Sequence, residues 1–341
     1  MSDAKPLVSI YCLTYNHEKY IRDCLDGFIM QKTDFPFEVI VHDDASTDHT
    51  ADIVREYQEK YPDIIKPVFQ IENQYQAHIP LIQKYIFPKV SGKYVGVCEG
   101  DDYFTDETKM QRQVDFMEHH PECHFCVAGV EEVSVNKNPL GVFHPSFPIQ
   151  GELIHPEEFI EYASRYAFQT TSYLMRYVDW KEYICNPPEF KKGTDMGDIT
   201  MMLYFGSAGD TGYINRVMSC YRRGAPSSFS ANRTQWTEEK MKTHFEKQLK
   251  VWREFDSFSN EKYHDICAKK VSDLMFGYCI LRNNAKELTC GANKEYFSYY
   301  PLPKKVFIYA SCIFKDAMKK RYLKIMQSRD SQKRQQWEIN R

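Results

Sequence analysis

The chain has 341 residues, of which 43% are apolar and 15% aromatic, so it can bury the core of one large domain or of a domain with an appendage. Its formal net charge of −3 excludes the broad basic surface that general nucleic-acid binding requires, so we expect no nucleic-acid partner. The first residues do not resemble a signal peptide, and no apolar stretch is long enough to span a bilayer. We therefore expect a soluble, cytoplasmic protein.

Strand and helix periodicities alternate through the first part of the chain. Apolar runs predict strands over residues 7–13, 37–41, 65–70 and 94–98, and apolar residues at helical spacing predict helices over 20–29 and 53–61. Near-continuous apolar strands that alternate with helices predict an α/β fold, a Rossmann-like, mainly parallel central sheet with helices on both faces.

Eleven cysteines are spread over the chain, with one close pair at Cys123 and Cys126. His119, His120 and His124 lie beside that pair, but no second pair follows at the spacing of a tetrahedral zinc site. We expect buried, reduced thiols and no structural zinc.

Polar clusters follow three of the predicted strands, at the edge of the sheet where ligands bind in such folds. They are residues 14–16, residues 42–48 and the sequence Glu99-Gly100-Asp101-Asp102. Two adjacent carboxylates repel each other unless a cation lies between them, and Mg²⁺ or Mn²⁺ is often held by one or two carboxylates together with substrate phosphates. The alternative is a solvated acidic turn with Gly100 at the bend. No Gly-rich dinucleotide loop or Walker loop follows the first strand.

The same three clusters resemble, in order, the signature of the inverting glycosyltransferases of family 2, which have the GT-A fold and use nucleotide-diphosphate sugars. The resemblance covers roughly residues 6–225. It implies that Thr14 contacts the nucleotide and that Asp44 accepts a hydrogen bond from the uracil ring. It also implies that Asp101 and Asp102 contact the ribose and hold a metal, Mn²⁺ or Mg²⁺, on the diphosphate.

Two cations are further candidates for offsetting diphosphate charge. Lys109 lies a helical step beyond the acidic pair, and a solvated helix lysine is the alternative interpretation. Arg222 precedes a small-residue stretch that could close over the donor, and a plain surface loop is the alternative there. The family often has a histidine near this point where this chain has arginines, so a third metal ligand is not assigned.

A single displacement also needs a base to take the proton of the attacking hydroxyl. Asp198 is at the start of an apolar helix, where the resemblance implies the catalytic base, and its reaction would invert the anomeric configuration. An ordinary helix N-cap is the alternative for Asp198, and Asp195 is a second candidate for the base.

The resemblance fades beyond about residue 235, so we predict a GT-A domain over residues 1–235 and a helical C-terminal domain over 236–341. Residues 315–341 hold nine Lys or Arg against three acidic residues. Three interpretations of this basic end stay open: homo-oligomerisation through the C-terminal helices, peripheral contact with the inner face of a membrane, and a solvated tail.

The sequence therefore predicts an inverting, metal-dependent glycosyltransferase that moves a hexose from a UDP-sugar to a hydroxyl of a glycan acceptor, in a cell-surface polysaccharide or a glycoprotein. A nucleotidyltransferase of similar fold is one alternative, although it would usually have a Gly-rich basic loop after the first strand. A catalytically silent carbohydrate-binding subunit is the other, although it would lose the acidic pair and Asp198. The sugar and the acceptor are not specified, since small differences in pocket shape decide them.

Overall fold

The computed structural model describes residues 5–225 and 236–325. Within these residues the chain forms two compact units, one of residues 5–187 and 201–225, the other of residues 188–200 and 236–325. The first unit contains the sheet and the second is helical. Within the described ranges, no helix has both the length and the apolar character needed to cross a membrane.

The described strands of the first unit form one ten-stranded sheet in the order β3-β2-β1-β4-β9-β6-β10-β5, with β7 paired to β6 and β8 paired to β10. The strands are β1 Val8–Thr14, β2 Phe37–Asp43, β3 Ile65–Phe69, β4 Tyr94–Val97, β5 Tyr103–Phe104, β6 Phe125–Val133, β7 Pro139–His144, β8 Leu153–Ile154, β9 Leu174–Arg176 and β10 Thr211–Arg222.

The first four strands confirm the sequence prediction. They run parallel, with Val8 of β1 opposite Phe37 of β2 and Tyr94 of β4. Every residue of β2 is buried, as expected for a strand between two layers of helices. The second half of the sheet is mixed, because the three-residue strand β9 runs antiparallel to both β4 and β6. So short a strand has too little periodicity to be recognised by pattern alone.

Helices pack against this sheet, and the first of them does so through an apolar stripe. In the first of them, Ile21, Cys24, Leu25 and Phe28 are buried at helical spacing. The helices are α1 Ile21–Ile29, α2 Thr50–Lys60, α3 Lys109–His119, α4 Pro156–Ser164, α5 Tyr177–Cys185 and α6 Gly197–Ala208, the last of which begins in the segment 188–200.

The second unit is built on α7 Glu238–Phe258, α8 His264–Leu281 and α9 Leu302–Ile313, and residues 315–325 are also helical. The segment 188–200 groups with these helices, while the domain boundary near residue 235 stays a prediction. Phe190 is buried edge-on against the rings of Phe255 and Phe258 in α7. Asp195 of the same segment pairs with Lys247 of α7 at 3.1 Å.

Candidate donor and metal site

Main-chain hydrogen bonds join the ends of β1, β2 and β4. The N–H of Asp44, just after β2, donates to the carbonyl of Thr14 at 3.0 Å. The N–H of Gly100, just after β4, donates to the carbonyl of Leu13 at 2.9 Å. The three polar clusters predicted to meet at one edge of the sheet therefore do so.

Gly100 is needed where these ends meet because two side chains approach its backbone closely. A Cβ atom on Gly100 would lie 2.7 Å from Oγ1 of Thr14 and 2.9 Å from Nδ1 of His17. Those two atoms are themselves hydrogen-bonded at 3.2 Å. Burial is the main effect on the pKa of His17 and lowers it below the ordinary value. Thr14 and His17 thus pack against the acidic loop, and neither adds a charge to it at neutral pH.

The carboxylates of Asp101 and Asp102 are both buried. Oδ1 of Asp102 accepts a hydrogen bond from the main-chain N–H of Arg222 at 2.8 Å. Burial raises the pKa of Asp102 well above its ordinary value, and the negative charges of Asp101 and Glu99 raise it further. Glu99 in turn accepts a hydrogen bond from the hydroxyl of Thr170 at 2.8 Å. This point of the sheet edge therefore carries an excess of buried negative charge, which is not the solvated turn of the alternative interpretation.

The carboxylate oxygens of this acidic loop are suitable ligands for a hard divalent cation. Carboxylate oxygens are the ligands that Mg²⁺ and Mn²⁺ prefer, and a cation would relieve the repulsion that raises the pKa of Asp102. Among the residues that the structure describes, no group of three or more His, Cys, Asp or Glu side chains is arranged to hold a metal. Asp101 and Asp102 would therefore hold the ion together with ligands from outside the protein, such as phosphate oxygens and water.

Arg222 is buried and does not lie on a plain surface loop, the alternative interpretation. Its side chain is buried near the end of β10, with only 1% of its surface exposed. The guanidinium donates to the carbonyl of Asp101 through Nε and to the carboxylate of Asp23 through Nη2, both at 2.8 Å. Nη1 donates to the carbonyl of Val135 at 2.9 Å. Each guanidinium nitrogen is engaged inside the protein, so Arg222 is placed to position the acidic loop, and an effect of its charge on a diphosphate stays a prediction.

Lys109 is buried, so it is not the solvated helix lysine of the alternative interpretation. Its Nζ is buried, donates to Oε1 of Gln113 at 2.6 Å and lies 4.3 Å from the ring centroid of Phe104. Burial lowers its pKa to about 8. These contacts support a structural role for Lys109, and a contact of its ammonium group with a diphosphate stays a prediction.

Asp44 lies at the predicted edge, but its carboxylate already has partners. Its two oxygens accept hydrogen bonds from the main-chain N–H groups of Gln74 and Tyr75, at 2.8 and 3.0 Å. Asp44 therefore anchors the loop that follows β3. Each carboxylate oxygen can accept a second hydrogen bond, so a contact with a nucleobase stays a prediction.

Sequence reasoning missed a buried charged cluster at the end of β6 and β10. Glu132 accepts two hydrogen bonds from Arg223, at 2.6 and 2.9 Å, and its carboxylate lies 2.7 Å from Nε2 of His144. Burial alone would raise the pKa of Glu132, but these partners outweigh it and lower the pKa to about 2. The available signal was two adjacent glutamates, Glu131 and Glu132, inside a strand that is otherwise apolar.

Asp198 lies one residue inside α6, not at the N-cap, and its side chain is solvent-exposed. Oδ1 accepts a hydrogen bond from the N–H of Ile199 at 2.7 Å. Although the residue is open to solvent, the protein crowded around it desolvates the carboxylate in part, and this is the main effect that raises the pKa of Asp198. The charge of Asp195 acts in the same direction, and the N–H of Ile199 lowers the pKa in part. Asp195 is itself neutralised by Lys247, so Asp198 is the better placed of the two to take up a proton.

Comparison with known proteins agrees with this geometry. The model of the family described as glycosyl transferase family 2 matches residues 9–174. An uncharacterized protein of Mycobacterium tuberculosis is 43% identical over 119 residues, which are 35% of this chain and 34% of that protein. The poly(ribitol-phosphate) beta-N-acetylglucosaminyltransferase TarS of Staphylococcus aureus is 36% identical over 118 residues, 33% of this chain and 19% of TarS. The matched region thus spans only about a third of the length of the first curated relatives.

The crystal structure of S. aureus TarS 1–349 in complex with UDP-GlcNAc has a similar fold, with a TM-score of 0.58 at 15% identity over 92% of this chain and 90% of that one. The family match begins in β1 and ends at the start of β9, and it includes Thr14, Asp44, Asp101 and Asp102. Residues 9–174, which carry these strands and the acidic loop between them, match glycosyl transferase family 2.

Proposed function

We propose that this protein is an inverting, metal-dependent glycosyltransferase that moves a hexose from a UDP-sugar to a hydroxyl of a glycan acceptor. The observation that carries the proposal is the buried pair Asp101 and Asp102, held by Arg222 at the edge of the sheet. A UDP-linked donor is supported by the relative named as a beta-N-acetylglucosaminyltransferase and by the UDP-GlcNAc complex of that relative.

In this proposal the acidic loop handles the leaving group. When bound at Asp101 and Asp102, Mg²⁺ or Mn²⁺ supplies positive charge to the diphosphate as it departs. Residues of the protein itself hold the acidic loop in position. Arg222 fixes the loop from one side, and Thr14 and His17 pack beneath Gly100. Asp44 then contributes an acceptor at the adjacent strand end, for the N–H of a uracil ring.

The acceptor hydroxyl must lose a proton as it attacks the anomeric carbon, and we assign that proton to Asp198. A carboxylate near the attacking oxygen is a common general base and contributes on the order of 10²–10⁴-fold to the rate. A pKa raised by desolvation makes Asp198 a stronger base than an ordinary aspartate. Single displacement by the acceptor inverts the anomeric carbon.

The experiment is nucleotide release from a panel of UDP-hexoses, UDP-N-acetylhexosamines and GDP-mannose, each measured with Mn²⁺, with Mg²⁺ and with EDTA. We expect UDP release from one class of UDP-sugar, dependent on the metal and abolished in Asp102→Ala. A preference for GDP-mannose would contradict the assignment of Asp44 to uracil. Equal rates in EDTA would contradict the assignment of Asp101 and Asp102 to a metal. No release from any donor, with no calorimetric binding of UDP and Mn²⁺, would favour a catalytically silent subunit.

A further inference from the structure

One face of α9 in the second unit is apolar and turned to solvent. Leu302, Val306, Tyr309 and Ile313 are 74, 59, 56 and 73% exposed, and their spacing of four, three and four residues places them in one stripe. Phe314 extends the stripe with 62% of its surface exposed. Contiguous apolar patches of this kind mark interaction sites more often than scattered exposed residues do.

The opposite face of the same helix is used for packing inside the unit. Ile308 and Ser311 are buried there. The exposed stripe is therefore distinct from the side of α9 that packs inside the unit. α9 has one apolar side that its own unit covers and a second apolar side that it leaves uncovered.

Basic residues continue directly from the stripe. Lys315, Lys320, Arg321 and Lys324 are exposed, and among the described residues none of them has a carboxylate within ion-pair distance. Other lysines of this unit do have such partners, since Lys304 pairs with Asp273 at 2.5 Å and Lys319 pairs with Glu238 at 2.7 Å. Lys320 and Lys324 lie four residues apart, on one side of the helical residues 315–325 that follow the break at Phe314.

We propose that the apolar stripe of α9 and the basic side chains of the helical residues 315–325 together bind the surface of an anionic phospholipid bilayer. Aliphatic and aromatic side chains of the stripe suit the boundary between headgroups and acyl chains, and the cations that follow it suit lipid phosphates. The proposal concerns where the protein lies and does not depend on its reaction.

The test is sedimentation of the full-length protein with phosphatidylcholine vesicles, with and without phosphatidylglycerol, at low and high salt. We expect partition into the anionic vesicles only, weakened by salt. Neutralising cations near an anionic surface costs about five-fold in partition for each, so Lys320→Gln with Lys324→Gln should lower it about 30-fold. Val306→Gln with Ile313→Gln removes two aliphatic side chains that the bilayer would bury. Each change should lower the partition into vesicles roughly ten-fold.

Matched controls exist on the first unit. Val178 is 67% exposed on α5, so Val178→Gln tests whether any exposed apolar side chain has the same effect. Lys89→Gln with Lys181→Gln removes the same charge from exposed sites elsewhere. These controls should partition like the parent protein.

Equal binding to neutral and anionic vesicles, no binding to either, or parent-like binding by the double variants at Lys320 and Lys324 would overturn the proposal. Light scattering of the same samples adds a further outcome. An oligomer that Val306→Gln with Ile313→Gln converts to a monomer, without vesicle binding by the parent, would show that the face joins copies of the chain. Because vesicle binding needs no sugar donor, such failure would leave the proposed transferase reaction untouched.

Discussion

The main-chain N–H of Arg222 donates to Oδ1 of Asp102 at 2.8 Å, while its guanidinium Nε donates to the carbonyl of Asp101 at 2.8 Å. One residue near the end of β10 thereby holds both members of the acidic pair. The guanidinium lies 4.8 Å from the ring centroid of Tyr20 and 5.2 Å from that of Tyr103, which fixes its plane. Partners that orient ligands in this way affect a metal site although they do not touch the metal.

Arg222→Lys tests this positioning role. Lysine keeps the charge but cannot donate to Asp101, Asp23 and Val135 with the fixed geometry of a guanidinium. We expect the Mn²⁺ concentration for half-maximal activity to rise about 10- to 100-fold. Arg216→Lys, at a half-exposed position of β10, serves as the control. An unchanged Mn²⁺ requirement in folded Arg222→Lys protein would contradict the role.

Gly100→Ala tests the close packing beneath the acidic loop. The added Cβ would displace Thr14 or His17, whose atoms lie within 2.9 Å of it. We expect UDP affinity, measured by calorimetry with Mn²⁺, to fall about ten- to hundred-fold through misplacement of the site. Gly96→Ala in β4 meets its nearest atom, Cγ1 of Ile10, at 3.4 Å and should bind UDP like the parent. Equal affinity in both variants would show that the loop tolerates the shift.

Glu132 should make the free energy of unfolding depend on pH in the acidic range. Its folded-state pKa, about 2, is below the ordinary glutamate value, so its contribution is present at neutral pH and is lost as pH falls from about 4.3 towards 2. We expect Glu132→Gln to lower the free energy of unfolding at pH 7 by about 3 kcal/mol, because Arg223 loses its buried partner.

The measurement for Glu132 is urea unfolding of the parent and of Glu132→Gln at several pH values. The difference between the two proteins should shrink as the pH approaches 2. Glu131→Gln, which changes the same charge at the neighbouring half-buried position, is the control. A difference that is constant with pH would contradict the assigned pKa.

Lys109→Met separates the structural role of this lysine from the diphosphate role that its sequence position suggested. Methionine can fill the space beside Phe104, although it leaves Oε1 of Gln113 without its donor. We expect a loss of stability of about 1–3 kcal/mol, with the affinity for UDP and Mn²⁺ unchanged. A large loss of UDP affinity in a folded variant would restore the original assignment.

The parts of the fold that the sequence predicted well are those encoded locally. The strand β1 and its helix α1 show apolar periodicity within a few residues, and the acidic loop follows β4 directly. Because parallel strands align their carboxyl ends, the meeting of Thr14, Asp44 and Gly100 followed from the predicted order of elements.

The contacts that the sequence did not predict join residues that are distant in the sequence. Asp23 lies 199 residues before Arg222, and no pattern around either residue predicts their contact. Likewise, Phe190 packs against Phe255 and Phe258, which lie far downstream in α7. Such contacts decide whether a cation is solvated or buried, so the burial of Lys109 could not be predicted from its position in a helix.

We assign donor binding to the acidic loop and proton uptake to a separate carboxylate, Asp198. The variant Asp198→Asn tests this separation most directly. The measurement is the rate of sugar transfer or donor hydrolysis at saturating donor and Mn²⁺, with UDP affinity determined on the same preparation. We predict a rate lowered about 10²–10⁴-fold with UDP affinity unchanged, while the control Asp195→Asn, whose parent residue is paired with Lys247, keeps its rate. A parent-like rate in Asp198→Asn would contradict the account.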